Sequence, residues 1–95
     1  MTWRGPTAVV EETRGGKYYT ALSATALYQE VSFGFGATQL VMTNDNDVDA
    51  IYSFDGVTVH GRILARDTHN RILANDTSVF IRMASGTGTV YVQAA

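Results

Sequence analysis

"AIYSFDGVTVHGRIL", residues 50 to 64, decides how this chain is read. At its centre stands Asp55-Gly56. A two-residue type I′ hairpin turn needs positive φ at both central positions, and Asp-Gly is one of the few pairs that accept it. The dipeptide predicts a hairpin that pairs Phe54 with Val57 and Tyr52 with Val59, all four on one face. Ile51, Ser53, Thr58 and His60 fall on the other, more polar face. One apolar face and one wetter face is the pattern of an antiparallel ribbon laid on a core.

The C-terminal stretch reads the same way. With Ser85-Gly86-Thr87-Gly88 as a loop, Met83 faces Val90, Ile81 faces Val92 and Val79 faces Ala94, all apolar. Phe80, Arg82, Tyr91 and Gln93 take the opposite face. Upstream, Leu27, Val31, Phe33 and Phe35 alternate with Tyr28, Glu30, Ser32 and Gly34. Leu40 and Met42 then point one way before the polar turn 43–47. Thr20–Leu27 is Ala-rich but carries no i, i+4 apolar stripe, so strand or coil is expected there. Together these predict an all-β domain: a small antiparallel β-sandwich or barrel of about seven or eight short strands.

Residues 1 to 17 differ. They hold the only proline, Pro6, with Gly5, Gly15 and Gly16, and they show no sustained alternation. We expect an extended N-terminal arm over 1–17, with a short strand near Thr7–Glu11, in front of a domain over 18–95. Trp3 is its one large aromatic group, and such a ring is expected to be buried, on its own domain or on a neighbouring subunit.

Composition narrows the function classes. Ninety-five residues hold one modest core. A net charge of -2 argues against nucleic-acid binding, because neutralising phosphates takes clustered Lys and Arg. With no cysteine, disulfides and thiolate chemistry are excluded. The opening Met-Thr-Trp-Arg-Gly-Pro has no apolar core of a secretion signal, and no apolar run approaches the ~20 residues that span a bilayer. A soluble protein of a cytoplasm is expected, with no membrane partner.

Two nonapeptides follow one another: "HGRILARDT" at 60–68 and "HNRILANDT" at 69–77, identical at seven of nine positions. On one continuous strand an odd period sends equivalent residues to opposite faces, so His60 and His69 do not form an equivalent pair there. Two copies are too few for a β-helix. The repeat reads as strand similarity rather than shared chemistry.

Other sites are sparse. Asp45-Asn46-Asp47-Val48-Asp49 opens like a calcium loop, but Ala50 stands where Gly is needed and Gly56 where a bidentate Glu is needed. A structural Asn/Asp turn explains it better. Gly34-Phe35-Gly36 opens no helix and so cradles no phosphate. His60 and His69 lack a third ligand at metal spacing, and no G-x-S-x-G motif occurs. No catalytic residue, cofactor, metal or small-molecule substrate is assigned.

A resemblance adds to this. "LVMTNDNDVDAIYSFDGVTVHGRIL" (40–64) followed by "SVFIRMASGTGTVYVQAA" (78–95) resembles small structural proteins of tailed-bacteriophage virions. The shared features are a strand ending in Asn, a polar turn, a Phe-Asp-Gly turn, and a last pair of strands split by a Ser-Gly-x-Gly loop. The resemblance implies a non-enzymatic β-sandwich protein of the virion, assembled in the host cytoplasm. It implies a capsid decoration or cement protein on the outside of the lattice, or a head–tail connector, neck or tail component. Its partners would be the major capsid protein or other virion proteins, and further copies of itself. Candidate interface residues are Trp3, Arg4, Val9 and Val10 on the arm, with Ile51, Leu64, Leu73 and Phe80 on the second face. Two rivals stand beside it. One is a carbohydrate- or receptor-binding module using Tyr28, Tyr91 and the 44–49 turn. The other is a small β-barrel enzyme or metal protein using His60, His69 and the Asp-rich turn.

Overall fold

The computed structural model describes residues 16–95 and, before them, the backbone of Glu11–Thr13. Among these residues the chain is all β, without a helix. A three-residue strand, β1 (Glu11–Thr13), precedes six others: β2 (Tyr18–Ala24), β3 (Gln29–Asn44), β4 (Ala50–Ser53), β5 (Gly61–Ile63), β6 (Asp67–Met83) and β7 (Gly88–Ala94). They form one open sheet in the order β1-β2-β7-β3-β6-β4-β5, antiparallel throughout.

β3 and β6 are the long members, 16 and 17 residues, and pair along most of their lengths. The C-terminal end of β6 takes β4, and β4 takes β5. The C-terminal half of β3 takes β7, β7 takes β2, and β2 takes β1. The β3–β6 pair thus joins two wings of the sheet. Side chains from both meet in one core cluster, which includes Val31, Tyr52, Ile63 and Ile81 from the first wing and Leu40, Met42, Val90 and Val92 from the second. The rings of Tyr18 on β2 and Phe33 on β3 lie 5.7 Å apart.

The long pair changes register where the wings meet. Between the partners Ser32↔Ser78 and Gln39↔Ile72, β3 spends 39 − 32 = 7 residues and β6 spends 78 − 72 = 6. One extra residue on β3 switches its inward set from odd positions (Val31, Phe33) to even ones (Leu40, Met42), all buried. Gly34 at φ 83 and Asn75 at φ 62 supply the left-handed conformations this bulged stretch needs.

The C-terminal alternation is read correctly for face and wrongly for neighbour. Val79, Ile81, Met83, Val90, Val92 and Ala94 are all buried. Yet β6 and β7 do not pair: β7 lies between β2 and β3, while β6 lies between β3 and β4. Alternation reports which side of a sheet a residue faces. It carries no information on which strand lies beside it.

The Asp55-Gly56 hairpin exists with a longer loop. Tyr52 faces Gly61 rather than Val59, and residues 54–60 form the connection. Val57 and Val59, expected inside, are 83% and 51% exposed. The reason is the Tyr52 ring, which crosses over Gly61; a Cβ there would sit 2.6 Å from ring atom Cε2. Only glycine leaves that room. The slip is by two residues, so parity survives, and Ile63 is buried while Leu64 is exposed, as the alternation predicts.

The loop closes on Asp55. One carboxylate oxygen accepts N–H bonds from Val57 (2.8 Å) and Thr58 (2.7 Å) and the Ser53 hydroxyl (2.8 Å). The Ser53 oxygen accepts from the Asp55 and Gly56 N–H groups at 3.2 and 2.9 Å. The Val57 N–H first, then those of Thr58 and the Ser53 hydroxyl, hold the Asp55 carboxyl well below the usual carboxylate range. A lowered carboxylate stabilises the loop at every pH above its unfolded value and withdraws that support only as pH falls through the lower folded value. We expect the Val57 and Thr58 amide resonances to hold their positions through about pH 4, the ordinary carboxylate region, and to move only in stronger acid. An NMR titration with a midpoint near the ordinary value would contradict this closure.

The nonapeptide repeat also resolves. Its seventh position, Arg66 in one copy and Asn75 in the other, is left-handed in both, at φ 60 and 62. In the first copy this residue turns the chain from β5 into β6; in the second it sits in the bulged stretch of β6. Equivalent residues face opposite ways: Ile63 is fully buried and Ile72 is 88% exposed, while Leu64 is exposed and Leu73 buried.

Candidate functional site

The charged side chains of the 44–49 turn serve the fold. Asn44 is fully buried and donates through Nδ2 to the carbonyls of Val48 (2.8 Å) and Ile63 (3.1 Å). Asn46 donates to Asn44 Oδ1 and to the Thr89 carbonyl, both at 2.7 Å, and so fastens the turn to β7. The Arg66 guanidinium reaches Asp47 (2.9 Å) and Asp45 (3.1 Å), and Asp47 chiefly raises its pKa. Asp49 accepts from Arg62 (3.3 Å) and from the Ala65 N–H (3.0 Å). Among the described residues no three His, Asp or Glu converge as a metal site.

His60 and His69 are brought to one aromatic cluster in unlike roles. The Tyr52 hydroxyl lies 3.0 Å from His69 Nε2 and accepts a 2.8 Å bond from Arg71 Nη1. His60 Nδ1 accepts the Phe54 N–H at 3.0 Å. The Arg71 guanidinium lies 5.1 Å from the Phe54 ring centroid and 5.6 Å from that of Tyr52. An imidazole that accepts from backbone and another held against a tyrosine tie loop 54–60 to the far wing.

The four second-face candidates do not gather. Leu73 belongs to the core, and Leu64 is exposed. Ile51 is 3% exposed, with Arg82 and Arg62 as its cross-strand neighbours. The Phe80 ring lies against Gly56, where a Cβ would approach it to 3.2 Å. Trp3, Arg4, Val9 and Val10 lie outside the described residues. Tyr28 and Tyr91 belong to different wings; the Tyr28 ring packs on Arg82 at 5.2 Å and its hydroxyl is buried.

What sequence reading missed is a surface. The outward residues of β2, β7, β3 and the first half of β6 line up in rows: Tyr19, Gln93, Val41 and Asn70 in one, Ala21, Tyr91, Thr43 and Thr68 in the next. The Thr43 and Thr68 hydroxyls meet at 3.0 Å. Gln39 and Ile72 extend the face. None of these ten side chains is charged. Lys17 stands at the corner, beside an open depression lined also by Tyr19, Gln39, Val41 and Gln93. The alternation of each strand marks these residues as outward, but only the strand order makes them one face.

No protein-family model, curated protein or solved structure matches the chain.

Proposed function

We propose that the chain is a non-enzymatic structural protein of a tailed-phage virion, a capsid decoration or cement protein that binds the outside of the lattice. One observation carries this reading: a sheet face four strands wide, with two tyrosines and no charge, on a chain whose carboxylates are mostly engaged in its own loops. Interface centres are depleted in Lys, Asp and Glu and enriched in Tyr. The resemblance of residues 40–64 and 78–95 supports the virion setting. In this reading the two wings are the layers of a β-sandwich, which agrees with the Tyr18–Phe33 contact between strands that are not sheet neighbours and with the Tyr52–His69 contact, made far along β6 from Ile81, the residue Tyr52 pairs with. The partner is the major capsid protein, and many symmetric copies multiply a modest contact into firm attachment.

The test is co-sedimentation with capsids from the genome that encodes the chain. Thr43→Lys places a charge at the centre of the face without touching the core. It is expected to weaken attachment at least about tenfold, since desolvating one unpaired charge costs more than 1.4 kcal/mol. An unchanged thermal midpoint identifies the loss as one of contact. Attachment equal to the parent's would reject this face.

A further inference from the structure

The second half of the chain contains an open strand edge of a kind folded proteins normally shield. β4 reaches β6 only at residues 80–83, so among the described residues nothing pairs with the other side of β6 from Thr68 to Leu73. Ladder parity shows which groups face outward. Gln39 and Ala95 exchange N–H bonds in both directions at 3.0 Å, so odd residues of β3 turn to β7 and even ones to β6. Their partners on β6 are 67, 69 and 71. The N–H and C=O groups of Thr68, Asn70 and Ile72 therefore point away from the sheet. The Thr68 N–H bonds its neighbour Asp67's carboxylate at 2.8 Å, as expected of a group with no ladder partner.

Among the described residues the other edges are shorter or irregular: β1 and β5 are three residues long, β1 leaves β2 open only over 21–24, and β3 beyond Ser32 is bulged at Gly34. The β6 edge is long and carries Ile72, 88% exposed. Beside it, half-buried Arg71 has no carboxylate partner among the described residues.

We propose that this edge takes, as an added strand, the N-terminal segment of a second copy of the chain. β1 lies at the opposite end of the same wing from this edge, and the segment meant is the one that precedes it in the sequence. That segment is Thr7-Ala8-Val9-Val10, rich in β-formers, and it leads into Glu11-Glu12, the carboxylates Arg71 lacks. Edge-to-edge pairing of two β6 strands about Asn70 offers no charge complement, because it sets His69 of each copy against Arg71 of the other. The contact is head-to-tail, and its symmetry builds rings or chains. It stands apart from the virion reading and does not rest on it.

The experiment is sedimentation of three full-length proteins: the parent, Ile72→Pro, and the double variant Val9→Pro/Val10→Pro. The Ile72 N–H is outside the ladder, so proline there removes no sheet bond; Ile72→Lys is the alternative should proline perturb the circular dichroism. The parent is expected to associate as concentration rises, and each variant alone to remain monomeric. An equimolar mixture of the two variants is expected to form a one-to-one dimer and stop, because each retains the half the other lacks. A monomeric parent, parent-like association of either variant, or a mixture that stays monomeric would overturn the proposal.

Discussion

Gly61→Val lowers stability by about 3 kcal/mol, the upper part of the range for forcing bulk into a packed core. The residue lies opposite Tyr52 in the β4–β5 register, and the tyrosine ring fills the space a side chain would take. The substitution leaves the ring nowhere to go. Tyr52 is 1% exposed, and its hydroxyl is held by Arg71 and lies against His69. Moving it opens the core, frees β5 and breaks the tie between the wings. A 95-residue domain has roughly 5–14 kcal/mol in all, so the loss is a large share. Urea unfolding reads it as a lower midpoint at unchanged slope. Gly61→Ala gives a smaller shift in the same direction. If the valine variant unfolds with the parent, Tyr52 does not lie across Gly61.

Asn44→Leu costs a similar amount, about 3 kcal/mol, by the opposite route. Leucine matches asparagine closely in shape, so little packing is lost. What disappears is a set of buried hydrogen bonds. The Val48 and Ile63 carbonyls lose their donor, and Asn46 loses the acceptor that aligns it on Thr89. Each stranded buried group costs roughly 1–3 kcal/mol, which outweighs the gain from burying a more apolar side chain. The turn 45–49 is expected to lose amide-exchange protection before the rest of the sheet. A change within about 0.5 kcal/mol would mean that the turn is held by its Arg66 and Arg62 ion pairs instead, which exposed pairs rarely achieve.

These two sites show where sequence is legible. Period-two alternation marks Leu40, Met42, Val79, Ile81, Val90 and Val92 as inward because burial acts on each strand separately, and all six are buried. Strand pairing depends on contacts far apart in sequence, and nothing local in Met83 or Val90 says that β3 takes β7 while β6 takes β3 and β4. The Asp-Gly signal locates the turn, but its length is set by a ring two residues upstream that needs a glycine opposite. The nonapeptide repeat, by contrast, does not lie on one strand: Ile63 on β5 is buried and Ile72 on β6 exposed, with the turn at Arg66 between them, so period parity alone does not set their faces. The uncharged face and the open β6 edge were legible only once the strand order was known.

The proposed contacts use surfaces of this sheet that are uncovered among the described residues, its flat face and its β6 edge. Amide exchange along β6 in dilute, unassembled protein tests that most directly. His69 and Arg71, bonded into the β3 ladder, are expected to exchange slowly, and Asn70 and Ile72 quickly, with the latter pair becoming slow on assembly. Equal protection of all four amides in the isolated chain would mean that the edge is already covered, and would contradict the account.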